Sequence, residues 1–243
     1  MNEPPPQTRT GWRWWHWLVS GIVLILLIDT LIPCSCRITV KANQMKAACN
    51  SRQIVALLLT YASDYGDHYT DHGLDLTQVT SNEAFRRLVQ EGWVPDETIF
   101  GCPGSRFMPD KNIGTAPDYD QALIPGENHW MMVAGLSPTS PSYYPVVLEN
   151  TVDLSWPPRW WADKELKPVR GRAWPKDGIV VAFNDASVET VKLDRKGEYL
   201  HLPKRILAPG GKKPLPPMTM LDIEVAGKGN YSYGSLPGLP PTK

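Results

Sequence analysis

The sequence has no net charge: 25 basic residues are balanced by 25 acidic ones over 243 positions. A nucleic-acid binder needs a basic face to displace counterions from phosphates, so this balance argues against nucleic acid as a partner. It also argues against a long, disordered acidic chain. Cysteine is scarce. Cys34, Cys36, Cys49 and Cys102 are the full set, and their spacing lacks the clustered Cys or His pairs of a zinc site. Ser140, His129 and Asp120 are present, but no Gly-x-Ser-x-Gly elbow frames a serine. Cys102 is followed by Pro103, with no evident base beside it. No glycine-rich phosphate loop follows a strand pattern, and no internal repeat is visible. These absences argue against an enzyme and imply no cofactor.

What the sequence does have is 42% apolar residues, enough for a packed core, together with 24 prolines and 10 tryptophans. This composition points to a loop-rich domain held by aromatic anchors. The one long apolar run lies near the start. Trp12, Trp14, Trp15 and Trp17 precede Leu18 to Ile28, and Leu31-Ile32-Pro33 closes the stretch. From Trp14 to Pro33 is about 20 residues, or about 30 Å of helix, the thickness of a bilayer core. Tryptophan favours the membrane interface. The expected anchor residues are therefore Trp14, Trp15, Trp17, Leu18, Ile22, Leu26 and Ile28, with the lipid bilayer as partner. Charge alone slightly favours a cytoplasmic C-terminal part, since Arg37, Lys41 and Lys46 follow the run and Arg9 and Arg13 precede it.

Beyond the run, Thr39 to about Tyr65 predicts a helix. Met45, Ala48, Val55, Leu58, Leu59, Ala62 and Tyr65 recur at three- and four-residue steps on one face. Ser81 to Glu91 predicts a short amphipathic helix capped by Ser81 and ended by Gly92. His129–Ala134 and Tyr143–Glu149 read as strands. Gly178–Asn184 and Ser187–Leu193 read as a hairpin around Asp185-Ala186. After Pro203 the composition of Pro, Gly and Lys predicts an extended tail, with a candidate strand at Met220–Val225.

In their order along the chain, these features resemble the type IV pilin-like pseudopilins. The resemblance rests on Asn50-Ser-Arg-Gln-Ile54, Tyr61-Ala-Ser-Asp-Tyr65, Phe100-Gly-Cys-Pro103 and the hairpin Val181-Ala-Phe-Asn-Asp-Ala-Ser-Val188. The chain departs from the family pattern at the membrane entry, where Gly11-Trp12 falls at the processing site and His16 replaces the family glutamate. It departs again at Ala186, which stands in place of glycine. The resemblance implies an α+β, pilin-like fold: a long N-terminal helix, membrane-spanning in its first half, packed on a small antiparallel sheet. It implies a single pass through the bacterial inner membrane, with the C-terminal domain extracytoplasmic. It implies a structural or assembly role in type II secretion or a related envelope system, with other pseudopilins or secretion components as partners through the N-terminal helix. The expected division is 1–11 flexible, 12–33 transmembrane, 34–202 extracytoplasmic domain and 203–243 tail.

Three groupings carry candidate chemistry. Asp64, Asp67, His68, Asp71 and His72 mix ligand types for hard and borderline metals, against the alternative of a solvated helix end. Trp156, Trp160, Trp161 and Trp174 form a loop suited to stacking a glycan or contacting a peptide, or to covering the sheet. The first of these uses would make the chain a membrane-tethered binding module. Cys49 and Cys102 are either two free thiols or a disulfide. In an exported domain a disulfide would stabilise by roughly 3 to 4 kcal/mol.

Overall fold

The computed structural model describes residues 15–162, 170, 171, 173, 174, 178–211 and 213–225; the side chains of residues 15, 16 and 25–38 fall outside that description. The expected flexible N-terminus and Trp14 therefore lie outside the described residues, as do the side chains of Trp15, Leu26 and Ile28. Two compact units are present, Met1–Ala42 and Asn43–Lys243, so the boundary falls later than the expected 33/34.

Helix α1 spans Trp15–Asp64. In the first unit its described side chains are apolar and exposed. Trp17, Leu18, Val19, Ile22, Val23 and Leu24 each keep between 48% and 67% of their accessible surface. Among the described residues, no helix is long and apolar enough to cross a membrane.

The second unit is an α+β domain, in which the 43–64 part of α1 packs on an antiparallel sheet. Its buried stripe is Ala47, Ile54, Val55, Leu58, Tyr61 and Ala62. This stripe is rotated from the expected face, since Met45 is 68% and Tyr65 40% exposed. Small Ala47 and polar Asn50 and Ser51 are buried instead, and Asn50 Nδ2 donates to the Gly101 carbonyl at 3.0 Å. Helix α2, Ser81–Gln90, is capped one residue earlier than expected. Thr80 is extended, its hydroxyl accepts the Glu83 N–H, and Glu83 reaches back to the Thr80 N–H. The Ser81 hydroxyl is drawn off to the Asp222 carbonyl.

Strands β1 (Trp130–Val133), β2 (Pro145–Glu149), β4 (Gly178–Phe183), β5 (Val188–Lys192) and β8 (Met220–Leu221) form one sheet in the order β5-β4-β2-β1-β8. Every pairing in it is antiparallel. Alternation along the strands splits the core in two. Trp130, Met132, Val147, Val180 and Ala182 face a cluster with Ile54, Leu58, Phe85 and Phe100. Met131, Val133, Leu148, Ile179 and Val181 face a second cluster. There they meet Trp160 and Leu200 from a three-stranded sheet of β3 (Arg159–Trp161), β7 (Tyr199–His201) and β6 (Asp194–Lys196), and Ile206 from the short helix α3, Lys204–Leu207. With both faces covered, β4 reads as a continuous apolar run. The hairpin closes with Ala186 at φ 59°, the left-handed region that glycine adopts more easily.

The expected tail is corrected, although its candidate strand is present as β8 over Met220–Leu221. Leu215, Met220, Leu221 and Ile223 are buried, and main-chain bonds from Ser81, Gly126 and Ala134 reach the carbonyls of Asp222, Glu224 and Thr219. Residues 203–211 and 213–225 are thus part of the domain, held by long-range pairing that a Pro/Gly-rich composition hides.

Candidate functional site

His129 stands just before β1, with its N–H bonded to the Phe100 carbonyl at 2.9 Å. Glu149 ends β2 directly opposite Trp130, and Asn150 follows it. The register therefore brings His129, Glu149 and Asn150 together, with His129 and Glu149 each 1% exposed. Ser105 joins from the turn after Cys102-Pro103-Gly104, where its N–H bonds to the Cys102 carbonyl at 2.9 Å.

The hydrogen bonds fix the roles of the imidazole. Asn150 Oδ1 accepts the Gly171 N–H at 2.8 Å, so its Nδ2 is the atom facing His129 Nδ1, at 2.9 Å. An amide N–H beside Nδ1 makes Nδ1 an acceptor. The Ser105 hydroxyl lies 2.8 Å from the same nitrogen, and Ser105 Oγ accepts the Phe107 N–H at 3.0 Å. The opposite ring nitrogen, Nε2, faces Glu149 Oε2 3.5 Å away. That contact is close enough for an ion pair but lacks hydrogen-bond geometry, so Nε2 is a buried nitrogen without a hydrogen-bond partner. The other Glu149 oxygen accepts Trp174 Nε1–H at 2.5 Å and the Val180 N–H at 2.8 Å. Beside this group, burial first and then the Glu149 carboxylate push the Cys102 thiol far above its usual range, which leaves it protonated and a poor nucleophile.

A second grouping is made of oxygen alone. Glu97, Asp110 and Glu127 offer ligand atoms within 4.8 Å of one another, the one such set among the described residues. Glu97 is fully buried; its oxygens accept the Lys111 and Leu123 N–H groups at 2.9 and 2.8 Å. Glu127 accepts the Ile124 N–H at 2.9 Å. Burial, then the Glu97 and Asp110 carboxylates, push Glu127 up to about 7. Burial also raises Glu97, against its two backbone donors. Such a set suits shared protons or a hard cation.

The sequence-derived metal grouping does not converge. Asp64, Asp67, His68 and His72 are exposed, and the two imidazoles stack on each other with centroids 3.6 Å apart. Asp71 is buried, and its carboxylate accepts the Gly135 N–H at 2.7 Å, a structural use. The tryptophan loop is largely core. Trp160 and Trp174 are 1% and 4% exposed, while Trp156 and Trp161 are half-buried. Trp161 stacks on Tyr199 at 4.9 Å, and Arg159 covers the same ring at 4.4 Å. Cys49 and Cys102 are free thiols, the first exposed on α1 and the second buried, so the bridge is absent. Ser140 and Asp120 do not reach His129. The Ser140 hydroxyl takes the Ser137 N–H, and Asp120 is exposed.

Sequence reasoning named His129 but missed Ser105, Glu149, Glu97, Asp110 and Glu127. Each is separated from its partners by many residues, and only strand register and loop closure bring them together. No protein-family model, no curated protein and no solved structure matches the chain.

Proposed function

We propose that the chain is a membrane-anchored, pseudopilin-like structural component of an envelope system, with type II secretion or a related machine as its setting. One observation carries the reading: the apolar exposed surface of α1 from Trp17 to Leu24. Each large apolar side chain left in water forgoes about 1.5 to 3 kcal/mol of burial. Six of them on one helical segment call for an apolar medium, and the sequence extends the run to Ile32. The resemblance in Tyr61-Ala-Ser-Asp-Tyr65, Phe100-Gly-Cys-Pro103 and the β4–β5 hairpin supports the pilin-like assignment. In this reading the domain from Asn43 onward lies outside the cytoplasm, and neighbouring pseudopilins pack through the N-terminal helix. The alternative of a tethered glycan- or peptide-binding module keeps only Trp156 and Trp161, because Trp160 and Trp174 are committed to the core.

Fractionation of a bacterial host tests the anchor. The full chain should stay in the membrane pellet after alkaline extraction, and a chain lacking residues 12–33 should move to the soluble fraction. A full chain that is soluble throughout would remove the reading. Mass spectrometry of the membrane-derived protein then separates two forms of it. A mature start at Trp12 marks prepilin-type processing, and an intact Met1 marks a plain anchor.

A further inference from the structure

No further inference is drawn: the strongest candidate, the carboxylate cluster of Glu97, Asp110 and Glu127 in the loops before β1, has its buried oxygens answered by backbone N–H groups, and no second feature among the described residues points to a ligand for it.

Discussion

His129 and Glu97 are both almost without solvent contact, yet their surroundings are built differently. Around His129 the partners are mixed. Glu149 meets an indole N–H, a backbone N–H and an imidazole, while Asn150 uses its oxygen on Gly171 and its nitrogen on the ring. Around Glu97 the side chains supply acceptors only, and backbone N–H groups from Lys111, Leu123 and Ile124 answer some of them. The first group holds its geometry by matching donors to acceptors, as buried polar atoms require. The second concentrates like charge, and burial first, then that charge, push Glu127 up to about 7. One region is therefore sensitive to losing a member, and the other is sensitive to pH.

The largest expected effect lies in the matched region. Glu149→Ala would leave the Trp174 indole, the Val180 N–H and the His129 ring facing a void, at a cost of about 3 to 5 kcal/mol. Chemical denaturation should show this as a lower midpoint, with Trp174 fluorescence shifted toward that of exposed indole. A loss under about 1 kcal/mol would mean that the matching carries little weight.

Glu127→Gln should act in the opposite direction. The folded-state value of Glu127, about 7, lies above the ordinary 4.5. Below about pH 4.5 both folded and unfolded chains hold the proton, and the raised value costs nothing; as pH rises through about 7 the folded protein must give the proton up, and stability falls. The amide keeps an oxygen for the Ile124 N–H and turns a donor toward Glu97 and Asp110. The variant should thus gain roughly 1 to 2 kcal/mol at pH 8, after allowance for solvent screening, and match the wild type at pH 4. Thermal melts at the two pH values check both halves. A gain of equal size at pH 4 would show that packing, not charge, is responsible.

The same contrast explains what could be read from the chain. Local grammar was legible. The amphipathic run of Ser81–Glu91 announces α2, although its cap falls on Thr80 and not on Ser81, and the apolar Gly178–Phe183 followed by Asp185-Ala186 announces the hairpin. The phase of α1 was not, because small Ala47 and polar Asn50 and Ser51 go inward, Asn50 onto the distant Gly101 carbonyl, and periodicity weighs them less than Met45. Nor was the burial of Leu215, which lies among prolines and owes its place to a main-chain bond to the Leu207 carbonyl. The polar groupings were least visible of all. Ser105, His129 and Glu149 are 24 and 20 residues apart, and strand register together with the turn after Cys102 brings them close.

Asp110→Asn gives the smallest effect and the sharpest reading of the comparison. Asp110 is exposed, but its carboxylate is among the charges that raise both Glu97 and Glu127. Asparagine keeps an oxygen for the Asn112 N–H, which Asp110 Oδ1 now accepts at 2.6 Å, and offers an N–H to Glu97. The set would then resemble the His129 grouping, with a side-chain donor among its acceptors. Stability at pH 8 should rise by about 1 kcal/mol or less, because an exposed charge is well screened. The titration midpoint of Glu127, followed by carbon NMR of its carboxyl, should move down from about 7 toward the ordinary carboxylate range. The residual elevation would measure what burial and Glu97 contribute without Asp110. If the midpoint did not move, burial and Glu97 would be holding the proton without help from Asp110, and the charge contrast between the two regions would narrow to the Glu97–Glu127 pair.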